Sequence, residues 1–166
     1  MPTKIKDVQQ PRGLSRVLYR LPITLYRVHL GWLAGNRFLE LTHIGRKSGL
    51  PRHTVLEVLQ YDRASDTYYV LAALGEKSDW LRNTEKTPQV VIHVGHRRLQ
   101  ALAKRLSPEE AELKVLDYAG RHPIAMRVLP RLLGYRIDGT EEDFRALARL
   151  GIVVAFQPIS QIHAGQ

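Results

Sequence analysis

Residues 41–58, "LTHIGRKSGLPRHTVLEV", set two β-prone runs around the loop Gly45–Arg52, which holds three cations, two glycines, a serine and a proline. Gly45 and Gly49 permit tight turns and a close approach of the backbone to a ligand. Arg46, Lys47 and Arg52 offer charged donors, and Ser48 adds a hydroxyl. Two readings stand side by side here. Gly, Pro, Ser and Lys are ordinary turn residues, so the loop can be a solvated connection between strands. The same residues also suit a phosphate or polycarboxylate. The spacing is neither that of a Walker A loop nor that of a dinucleotide-binding GxGxxG.

Outward from the loop, β-branched and aromatic enrichment with partial alternation predicts strands at Phe38–His43, His53–Tyr61, Thr67–Leu74 and Gln89–Val94. A fifth, Arg98–Arg105, follows the turn "GHR", and "GIVVAFQPI" near the C-terminus reads as a sixth. Between the third and fourth runs, "GEKSDWLRNTEKTP" predicts a short helix capped by Ser78, carrying Trp80 and Asn83 and ended by Pro88. "SPEE" at 107–110 starts a helix with a capping box, a second covers Pro123–Leu133, and "TEEDFRALARL" starts another at Thr140. Residues 12–34 place Arg12, Arg16 and Arg20 on one helical face and Leu14, Val17, Leu18, Leu21 and Leu25 on another, interrupted at Pro22. Short strand connections with helices grouped at the ends predict an α+β protein built round an antiparallel sheet or small barrel.

The chain of 166 residues is long enough for one domain, read as a basic helical N-terminus (1–36), a strand-rich core (37–105) and a helical tail with a final strand (106–166). Its formal charge of +9 is uneven: residues 1–52 carry ten Lys/Arg against Asp7 and Glu40, whereas the other 114 residues nearly balance. That asymmetry points to phosphates, anionic lipid or acidic ligand groups as partners. With no cysteine, a disulfide framework, a thiolate metal site and a cysteine nucleophile are excluded. No apolar run reaches the ~20 residues of a membrane span, and no secretory h-region is present. A cytoplasmic protein is expected, with the N-terminal helix either capping the core or lying on the inner face of the cell membrane.

The ordered set "LTHIGRKSGLPRHTVLEV", "YVLAALGEKSDWLRN" and "TPQVVIHVGHRRLQA", covering residues 37–105, resembles the deazaflavin-dependent nitroreductase family, whose members use coenzyme F420 on a split β-barrel. The resemblance implies that Arg46, Lys47, Ser48, Gly49 and Arg52 hold the cofactor's phosphate and acidic tail, with Thr54 on the strand leading away. It implies that Ala72, Ala73, Leu74, Gly75 and Lys77 line the deazaflavin ring, and that Trp80 and Asn83 match the family's W-x-x-N. The implied activity is that of an oxidoreductase passing a hydride to a small-molecule acceptor: a quinone, a nitro compound or an activated alkene. Split barrels also bind FMN, haem and related tetrapyrroles, so a ligand carrier without deazaflavin turnover is the alternative, with His43 and His53 as possible contacts.

The acceptor needs a proton after the hydride, and Tyr118 and Tyr135 are candidate donors; the competing reading makes each a packing residue. His93 and His96 flank a turn at Gly95 with no third ligand nearby, so no metal is expected. Glu141, Glu142 and Asp143 fit a helix N-terminus. The strands lack stacking aromatics interleaved with cations, so nucleic acid is not an expected partner. A monomer or a homodimer is expected.

Overall fold

The computed structural model describes residues 3–4, 35–123, 135–136 and 140–161. The elements in order are β1 (Thr3–Lys4), β2 (Phe38–Ile44), β3 (Pro51–Asp62), β4 (Thr67–Ala72), a 3-10 turn at Gly75–Lys77, α1 (Asp79–Lys86), β5 (Gln89–Val94), β6 (Arg97–Arg105), α2 (Pro108–Arg121), β7 (Tyr135–Arg136), α3 (Glu141–Leu150) and β8 (Ile152–Gln161). Six strands close into an antiparallel barrel in the order β2-β3-β4-β8-β6-β5, and β1 pairs with β7 alone. The expected α+β split barrel is therefore the fold observed. The amphipathic helix of residues 12–34 and the helix expected over 123–133 lie outside the described residues, Pro123 aside. No described helix is long and apolar enough to cross a membrane.

Period-2 alternation builds the core. On β2 every second residue is buried, and β5 behaves alike, so Leu39, Leu41, Val90, Ile92 and Val94 point inward with Val70, Leu99, Val154 and Phe156 from the other strands. Trp80 and Leu81 of α1 join this interior cluster, and the Trp80 ring lies 6.2 Å from that of Phe156. A second apolar cluster forms outside the wall, where Ala111, Val115 and Tyr118 of α2 and Ala148 of α3 cover Leu59 and Val153. The capping box at Ser107 and Glu110 is complete, and Thr140 caps α3 through the Asp143 N–H.

Element boundaries differ from the sequence reading at informative places. β3 starts at Pro51, two residues before His53, because the Gly45–Leu50 turn closes tightly enough to pair Pro51 with Ile44. β4 stops at Ala72 instead of Leu74, where the chain turns into the 3-10 segment. Ser78 occupies the N-cap of α1 but makes no side-chain capping bond; the preceding 3-10 turn leads directly into the helix, with the Ser78 N–H bonded to the Gly75 carbonyl.

One end of the barrel is bolted by charge. Arg97 at the start of β6 donates to both carboxylate oxygens of Asp66 (2.8 and 2.7 Å) and to the Tyr68 hydroxyl (3.0 Å). Tyr61 donates to the same carboxylate at 2.8 Å and stacks on Tyr68 at 4.5 Å. Asp66 tolerates a left-handed φ of 51° in this turn, and the Arg97 guanidinium holds its carboxyl below the usual range. Replacing Arg97 by alanine is expected to lower unfolding free energy by about 2 kcal/mol in urea titration, since the carboxylate and two phenols lose their common donor.

Candidate functional site

The loop between β2 and β3 holds itself in shape. Gly45 N–H bonds to the Leu50 carbonyl at 2.8 Å and Gly49 N–H to the Gly45 carbonyl at 2.7 Å, with Gly49 at a left-handed φ of 68°. A Cβ on Gly45 would meet Ser48 Oγ at 2.7 Å, so glycine is needed for that close approach. Ser48 Oγ accepts from the Leu50 N–H (3.3 Å) and from Arg52 Nη2 (3.5 Å), which turns the hydroxyl to the loop's own use.

Helix α1 grips the same loop from the side. Asn83, 5% exposed, accepts through Oδ1 from both the backbone N–H and Nη1 of Arg46, each at 3.0 Å. Lys86 Nζ donates to the Arg46 carbonyl at 2.9 Å, and Asp79 pairs with Arg46 Nη1 at 3.0 Å. Arg46 is thus held by main chain and side chain together. Lys47 and Arg52, both exposed, have no acidic partner among the described residues.

The two N–H donors on Oδ1 fix the orientation of the Asn83 amide, so Nδ2 faces His43 Nδ1 at 3.1 Å and the imidazole must accept there. His43 is therefore neutral, with its proton on Nε2. Its pKa is lowered to about 4, first by burial and then by the neighbouring His53 and Arg52. His53 lies on the opposite face of the strand pair, with Nδ1 3.1 Å from Thr42 Oγ1 and 3.2 Å from Glu40. Both histidines are occupied by protein groups, and among the described residues no cluster could hold a metal ion.

Among the described residues, the wall beside this loop is open on one side. β3 pairs with β2 from Pro51 to Glu57 but with β4 only from Val58 to Asp62, so within them its loop-proximal half is hydrogen-bonded along one edge. Thr54 pairs with Leu41 and Arg52 with His43, which places Arg52 and Thr54 on the inward face where β4 has departed. The segment that leaves β4 there runs from buried Ala72 through exposed Ala73 to Gly75, whose φ is 53°. Two clefts, of about 280 and 310 Å³, lie elsewhere: one at Leu81, Pro88 and Arg105, the other at Pro108, Glu112 and Arg149.

The structure holds the predicted loop residues against α1 through Arg46 and Asn83, and the Ala72–Lys77 segment leads into that helix through Ser78. Trp80 is buried in the barrel core. Tyr118 is placed on the outer wall, where its hydroxyl donates to Glu57 at 3.1 Å and burial raises its pKa. For Tyr135 the structure describes the backbone, paired with Lys4, and not the side chain. Sequence reasoning missed Asp79 and Lys86 as loop contacts. Their spacing with Asn83, at i, i+4 and i+7, was the available signal, since it puts all three on one helical face.

A family model described as F420H(2)-dependent quinone reductase matches residues 19–120. No curated protein matches the chain. Among solved structures, an F420-H2 dependent reductase is 19% identical, with 74% of this chain and 96% of that one covered at a TM-score of 0.51. A chain described as a domain-swapped dimer is 19% identical over 86% and 92%, with a TM-score of 0.53. An FMN-binding protein related to pyridoxamine 5'-phosphate oxidase, from Nostoc punctiforme, is 11% identical over 89% and 82%, with a TM-score of 0.51. At such identities these likenesses concern the fold. The candidate site's donor set, two exposed cations without acidic partners among the described residues, suits a phosphorylated, polyanionic cofactor.

Because the folded-state pKa of His43 lies below its unfolded value, its contribution to stability is complete above about pH 6.5 and is lost as pH falls toward 4. Protonating it in the folded protein costs about 3 kcal/mol. Between pH 6.5 and 5, melting temperature should fall more steeply for the wild type than for His43→Gln, as followed by circular dichroism.

Proposed function

The chain belongs to the F420H(2)-dependent quinone reductase family, and we propose that it reduces a quinone with F420H2 held at the open edge of β3. The observation that carries this reading is the pair Lys47 and Arg52, exposed and, among the described residues, without acidic partners at the mouth of that edge. When bound, reduced F420 supplies a hydride to an electron-poor acceptor.

The protein's part is placement and electrostatics. Lys47 and Arg52 neutralise the phosphate and acidic tail by charge-assisted hydrogen bonds. Gly45 and Gly49 let the backbone approach, and Ser48 braces Arg52. Thr54 and the Ala72–Gly75 backbone line the ring, with Lys77 at the segment's end; exposed Ala73 leaves room for a flat heterocycle. Arg46, Trp80 and Asn83 support the site from behind. Tyr118 serves packing, because Glu57 already occupies its hydroxyl. Nitro compounds and activated alkenes are further acceptors for the same electron-poor chemistry. We infer a homodimer, by analogy with the neighbour of the same fold that is a domain-swapped dimer.

Fluorescence titration should show tighter binding of F420 than of FMN, and menadione should oxidise the reduced cofactor in the presence of the protein. Preferential binding of FMN would replace the cofactor assignment. Lys47→Ala and Arg52→Ala should each weaken F420 binding several-fold, roughly additively. Tyr118→Phe should leave menadione turnover within about twofold while lowering stability by about 1 kcal/mol in urea titration.

A further inference from the structure

Helix α1 stands between the two halves of the proposed site. Its first residue, Asp79, follows the Gly75–Lys77 turn after a single intervening residue, Ser78. Its side chains at 79, 83 and 86 all end on Arg46, the second residue of the basic loop. The backbone N–H, the backbone carbonyl and the guanidinium of Arg46 are each held by this helix. Trp80 and Leu81 seat the other face of α1 in the barrel interior, so the helix is a rigid body relative to the wall.

We propose that Asn83 is a positioning residue whose amide, together with Lys86 and Asp79, uses Arg46 as a strut to set the distance between the anion-binding loop and the ring-lining segment. Arg46 is thereby removed from the set of direct anion ligands, and binding charge falls to Lys47 and Arg52. The physical case rests on burial and satisfaction. An amide 5% exposed with four hydrogen-bonding capacities, three of them engaged by Arg46 N, Arg46 Nη1 and His43 Nδ1, has one low-energy arrangement. A loop that presents cations to a rigid cofactor gains affinity from being held in the bound geometry beforehand. Asn83 and Asp79 both engage Nη1 of Arg46, which draws the guanidinium toward the helix.

This inference rests on the reading of the site as an F420 site. Its test is F420 affinity by fluorescence titration for the wild type, Asn83→Ala, Arg46→Ala, the double variant and Lys47→Ala, with trypsin cleavage in the 46–52 loop measured without cofactor. Asn83→Ala should weaken binding about tenfold and speed cleavage after Lys47, because a released loop samples cleavable conformations. Arg46→Ala should weaken binding by a similar factor, and the double variant by no more than either single change, as expected of residues acting as one unit. Lys47→Ala combined with Asn83→Ala should weaken binding more than either change alone but by less than their product, because Asn83 acts by placing the loop that carries Lys47. In turnover with menadione, Asn83→Ala should raise KM for F420H2 about tenfold with kcat within twofold, a split that mere loss of folded protein does not produce. Should Asn83→Ala fold poorly, Lys86→Met, which removes one exposed contact, should move affinity and cleavage in the same direction by about twofold. Unchanged affinity and cleavage in Asn83→Ala, or full multiplication of the Asn83→Ala and Arg46→Ala effects, would overturn the strut. Wild-type protein that binds no F420 would instead overturn the functional reading, and the assigned role with it.

Discussion

A closed barrel pairs both edges of every strand, and among the described residues β3 is paired along only one edge between Pro51 and Glu57. That half-unpaired strand is the constraint on which the site depends. β4 cannot continue beside it, because the chain turns at Ala72 into a 3-10 segment with Gly75 at positive φ. The barrel is thus sealed by hydrogen bonds and by the Arg97–Asp66–Tyr68 bolt at one end, while at the other, among the described residues, β3 has no partner on its second edge. Open backbone next to a cationic loop is a poor arrangement for stability alone. It is a suitable one for receiving a flat, anionic ligand.

The cations around that opening are not equivalent, and burial separates them. Arg46 is half-withdrawn and bonded on three sides by α1, while Lys47 and Arg52 stay exposed. An exposed ion pair such as Arg46–Asp79 contributes little by itself, whereas the buried amide of Asn83 is costly to leave unsatisfied. The amide is therefore the dominant anchor. It also determines the state of His43, since an Nδ2 donor facing the ring requires an accepting, uncharged imidazole. Neutral His43 adds no positive charge to the loop, so the field there comes from residues that solvent and ligand can reach.

Much of the fold was legible in the residues because it follows from period and punctuation. Alternation in "FLELTH" and "QVVIHV" marked two barrel strands with their buried faces, and Ser107 with Glu110 marked a helix start. The turn residues of the basic loop marked the tight connection between β2 and β3. Roles within the site were far less legible. Arg46, Ser48 and Arg52 look alike as donors in a string of letters, yet one is held by a helix 37 positions away, one closes the loop and one stays exposed. Trp80 and Tyr118 were each readable as packing or as function; their burial against Phe156 and their contact with Glu57 are long-range facts.

The sequence by itself determined the alternating strands, the capped helices, the cationic loop with the glycines its turns require, and the order in which these occur. Those features depend on local sterics and on side-chain period, which act between near neighbours. Only the tertiary structure decided which cation of the loop is bonded to α1 and which stay exposed, which edge of β3 has no strand partner among the described residues, and why His43 is uncharged. Each of these is set by contacts between segments distant in the chain, where burial and a limited supply of hydrogen-bond partners choose among residues that are locally interchangeable.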